Sequence, residues 1–228
     1  MPTDRPALPR PEAVLLDLDG TLVDTVERRI EAWARIFAEA GLPVERARLG
    51  PLIGVDGKRL AREVAALSGV SLDDARAEAI DKRCGEIYET LNTDPRPLPG
   101  VGAVVEALEG HGIPWAIATS SRREQVAASV RALGLEREPR IVDGSHVEHA
   151  KPEPDLLLLG AEELGVEPTR CWYVGDSTWD VAAAVAAGMI PISVTIGSAV
   201  SSEVLAGAGA VAVVQTLDAV VELVGAAR

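Results

Sequence analysis

Apolar positions fall along this chain in two rhythms. Ala13-Val14-Leu15-Leu16 forms a short, continuous apolar block near the start. Beyond residue 98 similar blocks recur at Ile113–Ala118, Ile141-Val142, Cys171–Val174, Ile190–Val194 and Val211–Val214. Blocks of this length, rich in β-branched and aromatic residues, predict buried strands. Pro114 stands at the start of its block, where a strand tolerates it. Between the blocks, helical spacing covers Arg122–Leu133, Pro154–Leu164, Trp179–Ala187 and Leu217–Val224. Gly134, Gly165 and Gly188 follow the first three of these helices as stop signals. Strands that alternate with helices in this way predict an α/β fold, a Rossmann-like parallel sheet with helices on both faces.

The second rhythm runs from about Asp24 to Pro97 and is helical throughout. It predicts helices over Val26–Ala40, Gly57–Leu67 and Leu72–Leu91, with no strand among them. The proline-rich stretch Asn92–Gly100 then returns the chain to the α/β pattern. The expected organisation is a disordered tail over 1–11, an α/β core made of 12–23 and 98–228, and a small inserted helical cap over 24–97. The tail expectation rests on prolines at 2, 6, 9 and 11 without an apolar stretch, which also argues against a signal peptide.

Composition narrows the setting. The 228 residues are 47% hydrophobic, enough for a sizeable core. The formal net charge is −13, so nucleic acid and anionic membrane surfaces are poor partners. Cys84 and Cys171 have no metal-type spacing, and a reducing, cytoplasmic setting is expected. Val181–Val200 carries no charge, yet Gly188 and Pro191 divide it into a helix end, a turn and a strand rather than a membrane span.

Four polar clusters sit at the ends of predicted strands. Asp17 and Asp19 follow the first block, within Asp17-Leu18-Asp19-Gly20-Thr21. Thr119-Ser120-Ser121 follows the block ending at Ala118. Lys151-Pro152-Glu153-Pro154-Asp155 lies beyond Ile141-Val142, and Gly175-Asp176-Ser177-Thr178-Trp179-Asp180 follows Val174. In a parallel sheet these ends share one edge, so the clusters should meet in one crevice. Acids presented there must be paired or must hold a cation. Aspartates favour a hard ion such as Mg2+. A lysine and hydroxyls beside helix-start N–H groups, here Thr119 and Ser120, suit phosphate. Together they supply charge neutralisation, alignment and a carboxylate nucleophile for phosphoryl transfer.

With these four motifs in this order, the chain resembles the haloacid dehalogenase-like hydrolase superfamily, in its subgroup with a helical cap. The resemblance covers the chain beyond the tail. It implies that Asp17 is the nucleophile and that Asp19 protonates the leaving oxygen and then activates water. It implies that Thr119 and Lys151 hold the phosphoryl oxygens. Mg2+ would be held by Asp17, the Asp19 carbonyl and Asp176, with Asp180 acting directly or through water. The expected activity is Mg2+-dependent hydrolysis of a small phosphate ester, similar to that of phosphoglycolate and sugar-phosphate phosphatases, by a monomer or homodimer.

A β-phosphoglucomutase-like mutase is the alternative. Those enzymes tend to carry Glu-Asp where this chain has Gly175-Asp176. A dehalogenase would lack Asp19, and a receiver-type signalling domain would be far shorter and uncapped.

Several residues have plainer readings. His146 and His149 read as loop residues, and Trp33 as helix core at helical spacing with Ile30 and Phe37. In the loop Ile53–Lys58, Asp56 and Lys58 stand evenly between substrate contact and helix capping.

Overall fold

The computed structural model describes residues 8–228. Its centre is a six-stranded, all-parallel sheet in the order β3-β2-β1-β4-β5-β6. The strands are β1 (Ala13–Leu16), β2 (Trp115–Ala118), β3 (Ile141–Val142), β4 (Cys171–Gly175), β5 (Ile190–Val194) and β6 (Ala212–Val214). β1 and β4 are fully buried along their length, as the continuous apolar blocks require of strands covered on both faces.

Successive side chains of β1 feed opposite layers. Val14 and Leu16 join a core with Trp172, Val174 and Ile192. Ala13 and Leu15 join another with Ala118, Tyr173 and Leu157. The period of two thus lets one short strand anchor both helical layers.

Nine α-helices accompany the sheet among the described residues. They are α1 (Val26–Glu39), α2 (Gly57–Leu67), α3 (Asp74–Leu91), α4 (Val101–Gly110), α5 (Arg123–Ala132), α6 (Asp155–Leu164), α7 (Thr178–Ala187), α8 (Ser202–Ala208) and α9 (Leu217–Ala226). The glycine stops expected at 165 and 188 take left-handed conformations, with φ of 70° and 73°. The apolar spacing does not announce α4 and α8. α4 reads Val-Gly-Ala-Val-Val, where β-branched residues and glycine mask the helical period. α8 is a seven-residue helix dominated by small residues, too short to show a period.

Between β1 and α4 the chain builds α1, α2 and α3 around an apolar core of their own, which includes Trp33, Phe37, Leu60, Val64, Ile80 and Ile87. Trp33 and Phe37 stack with ring centroids 5.3 Å apart. The outgoing and returning segments run side by side. Val23 bridges Pro97, Asp24 N–H donates to the Arg96 carbonyl, and Leu98 N–H donates to that of Leu22.

The expected tail over 1–11 requires a correction at its inner end. Pro9 accepts a hydrogen bond from Trp172 Nε1, Arg10 N–H donates to the Arg228 carbonyl, and Leu8 packs on the main core. These partners lie far along the chain, so no local pattern announces them. Residues 1–7 of that expectation lie outside the described residues. No helix among the described residues is long and apolar enough to cross a membrane.

Candidate active site

β1 sits where the strand order reverses, with β2 on one side and β4 on the other. The crevice beyond the carboxyl ends of such strands is the ligand site of open α/β sheets. β1 ends into Asp17 and Asp19, β2 into Thr119, and β4 into Asp176. Turning the backbone there takes a residue with φ of +85° at Gly20, where a side chain would also collide with the Asp176 carboxylate. Thr21 donates to Asp176 Oδ1 at 3.1 Å, tying the first cluster to the fourth.

Lys151, 1% exposed, reaches the same point from the loop before α6. Its ammonium lies 2.7 Å from Asp17 Oδ1 and 2.7 Å from Asp180 Oδ1. Although burial works to lower its pKa, these two carboxylates hold it above its ordinary value. Tyr173 Oη donates to the Ala118 carbonyl at 2.9 Å and lies 3.1 Å from Asp180 Oδ1, stiffening the lysine's surroundings. Asp180 belongs to a capping box: its Oδ2 accepts from the Ser177 hydroxyl at 2.6 Å and from the backbone N–H groups of Asp176 and Ser177. Both its oxygens are therefore engaged.

The acids diverge in electrostatic character. Burial pushes Asp17 up to about 7, against the pull of Lys151. Burial, with the charges of Asp180 and Asp17, raises Asp176 well above the carboxylate range. Burial would raise Asp19 too, but the Arg29 guanidinium and hydrogen bonds from Thr25 and Ser121 hold it below its ordinary value. Arg29 Nη2 lies 2.8 Å from Asp19 Oδ2, Thr25 Oγ1 donates to Oδ1 at 2.6 Å, and Ser121 Oγ donates to Oδ2 at 2.8 Å.

Oxygens of Asp17, Asp176 and Asp180 all lie within 4.8 Å of one another. When all three carboxylates are ionised, they outnumber the one ammonium in a buried site, and a divalent cation would neutralise the excess. Oδ2 of Asp17 and Oδ2 of Asp176 make no hydrogen bond among the described residues, whereas Asp180 is saturated. The donor set fits a hard cation, with free oxygens on Asp17 and Asp176.

The helical unit roofs this edge. A cavity of about 50 Å³ is lined by Asp17, Asp19, Thr119, Ser120, Ser121 and Lys151 below and by Arg29, Trp33, Val55, Leu60 and Asp81 above. The structure thus brings together Asp17, Asp19, Thr119, Ser120 and Lys151, with Asp176 and Asp180 directly behind. Ser120 Oγ donates to the Gly54 carbonyl, so its hydroxyl holds the roof loop. Trp33 is both core, at 6% exposure, and cavity wall.

Asp56 caps α2, accepting from Arg59 N–H at 3.0 Å. Lys58 lies with it in a separate groove that also holds His149 and Glu153. Of the two roles left open for this loop, capping is the one the contacts support for Asp56. His146 Nδ1 accepts from the Asp143 backbone N–H at 3.1 Å within its own loop.

Arg29, Tyr88, Gln125, Tyr173 and Asp81 were not singled out by sequence reasoning, and Ser121 was named only as part of its cluster. Arg29 sits on the inward face of an amphipathic helix, and a buried arginine there was the available signal. The others carry no local signature.

The model for the family described as haloacid dehalogenase-like hydrolase matches residues 11–188. A phosphoglycolate phosphatase from Xanthomonas campestris pv. campestris (strain 8004) is 33% identical over 190 residues, covering 82% of this chain and 84% of the relative. Hexitol phosphatase A from Escherichia coli (strain K12) is 35% identical over 186 residues, covering 81% and 83%. A crystal structure of a hydrolase from Pseudomonas syringae superposes with a TM-score of 0.88 at 29% identity, over 95% of this chain and 99% of that one.

Proposed function

The chain belongs to the haloacid dehalogenase-like hydrolases and is a phosphoric monoester hydrolase, and on this basis we propose that it hydrolyses small phosphorylated metabolites through an aspartyl-phosphate on Asp17. The observation that carries this reading is the buried Lys151, 2.7 Å from both Asp17 and Asp180 beneath the helical roof. Burying an ammonium and several carboxylates is unfavourable unless they serve each other and a ligand.

In the proposed sequence, an Asp17 oxygen attacks phosphorus as the bond from phosphorus to the leaving oxygen breaks. Asp19, taking part in its protonated form, gives its proton to that oxygen. The alcohol departs. Asp19, now a carboxylate, takes a proton from water as that water attacks phosphorus and the bond to Asp17 breaks. Phosphate is released and Asp17 is restored.

Lys151 and Thr119 hold the phosphoryl oxygens in place. Asp17 and Asp176 would hold Mg2+, with Asp180 fixing Lys151 and the turn that carries Asp176. When bound, the ion would neutralise charge on the phosphoryl group. The helical unit serves as a lid that excludes bulk water.

Gly175 favours hydrolase over mutase. A side chain there would collide with the Asp180 carboxylate, so the glutamate of the mutase-like alternative has no room without displacing Asp180. The test is phosphate release from p-nitrophenyl phosphate by wild type and Asp17→Asn, with and without Mg2+. Turnover that requires Mg2+ and drops by at least about a thousandfold in the variant supports the reading. Turnover that survives in Asp17→Asn, or that ignores chelation, overturns the nucleophile or the metal respectively.

A further inference from the structure

We infer that the ester this enzyme prefers carries a short, neutral, hydroxyl-bearing leaving group, and that Asp81 on α3 enforces the choice. The inference rests on the phosphatase reading and names its substrate class.

The charges facing the cavity do not balance. Its lining contains two cations, Arg29 and Lys151, and three acids, Asp17, Asp19 and Asp81. Lys151 is matched by Asp17, and Arg29 by Asp19 at 2.8 Å. Arg29 is also committed to Ser121 and Gln125 and lies over the Tyr88 ring, 3.5 Å from its centroid. The acid left over is Asp81. Its Oδ2 pairs with Arg122 at 3.1 Å, and Arg122 stands outside the lining. Its Oδ1 makes no hydrogen bond among the described residues.

The local backbone leaves room for this side chain. Asp81 Oδ1 lies over Gly57, the first residue of α2, where any Cβ would collide with it. The phosphoryl end of a substrate belongs beside Asp17, Thr119 and Lys151, so the roof receives the leaving group. There a hydroxyl can donate to Asp81 Oδ1, while a carboxylate would face a like charge in a half-dry site. The remaining roof, Trp33, Val55 and Leu60, offers apolar surface to a carbon chain. The space beneath the roof, about 50 Å³ and partly open to solvent, takes a few water-sized groups and favours a short chain.

A matched pair of three-carbon esters tests this: glycerol 3-phosphate and 3-phosphoglycerate differ by a hydroxymethyl group in place of a carboxylate. Wild type should show kcat/KM at least about tenfold higher for glycerol 3-phosphate. Asp81→Asn, which keeps shape and removes charge, should shrink that ratio at least about fivefold, chiefly by raising turnover of 3-phosphoglycerate. A general structural defect lowers both esters together and leaves the ratio unmoved.

Wild type that hydrolyses 3-phosphoglycerate equally well or better overturns the inference, whatever the variant does. So does an Asp81→Asn ratio equal to that of wild type. Turnover of p-nitrophenyl phosphate with neither three-carbon ester cleaved overturns the substrate class alone. No turnover of any of the three overturns the phosphatase reading and this inference with it.

Discussion

Each aspartate of the crevice has its own set of neighbours, and the chemistry follows from those differences. Asp17 faces Lys151 yet is pushed up to about 7 by burial, above the ordinary value of 3.8. The metal-free fold therefore binds a proton on Asp17 that the unfolded chain releases near pH 4, and Asp17 costs stability as pH rises from there through 7. A cation that needs the ionised carboxylate competes with that proton. Mg2+ at about a hundredfold above its Kd should raise Tm by roughly 5–10 °C near pH 8 and by much less near pH 5. Calorimetric scans at both pH values read this directly, and Asp176→Asn should abolish it. An equal shift at both pH values would remove Asp17 from the ligand set. Gly175 gives a second prediction at this scale. In Gly175→Ala the new methyl displaces Asp180 and with it Lys151, so stability should fall by roughly 1–3 kcal/mol and turnover by far more than stability explains. Thermal melts beside kcat separate the two effects. The four acids and the lysine were legible in the sequence because charges gathered at the ends of buried apolar strands are costly unless they pair or bind a ligand. Asp81 was not, since on an exposed-looking helix it is one charge among many.

At the scale of elements, two helices of the roof decide the state of one side chain below. α1 supplies Arg29 and α3 supplies Tyr88, whose hydroxyl lies 3.2 Å from Asp19 Oδ1. Docking of the roof and positioning of the acid are therefore one event. Removing the guanidinium in Arg29→Met leaves Asp19 buried beside hydroxyl donors alone. The acid's pKa should rise, moving the alkaline limb of the kcat/KM profile, where the protonated acid is lost, to higher pH, and kcat should fall about a hundredfold. A pH–rate profile whose alkaline limb does not move in the variant would show that Arg29 acts only in packing. Further contacts fix the same roof: Asp56 N–H donates to the Lys151 carbonyl at 2.8 Å, and Trp179 Nε1 donates to that of Pro51 at 2.8 Å. Sequence periodicity located α1, α2 and α3, because each hides one apolar face. It missed α4, whose valines and glycine resemble a strand, and α8, which is too short to show a period.

For the molecule as a whole, one parallel sheet presents the polar clusters at its strand ends and a separate helical core covers them, with each layer burying its own apolar surface. Both cysteines lie inside, Cys84 in the helical core and Cys171 in β4, and both are free. Burial pushes Cys171 up to about 11 and raises Cys84 further above the thiol range. Ellman's reagent should therefore label neither thiol in the native protein and both after unfolding, and reductant should leave Tm unchanged. Rapid labelling of the folded protein would contradict the packing around β4 or α3. The alternation of strands and helices, the parallel sheet and the strand ends where polar residues gather are all written in the amino-acid order. They follow from local rules: the period of apolar positions, the turn residues, and the placement of acids after buried strands. Tertiary packing alone settles which acid meets which cation. It closes Arg29 on Asp19 from 10 positions away, sets Lys151 between Asp17 and Asp180, and carries Asp81 over Gly57. Pairings of that kind depend on how packed layers bring distant side chains within a few ångströms in a low dielectric, and no local period encodes that distance.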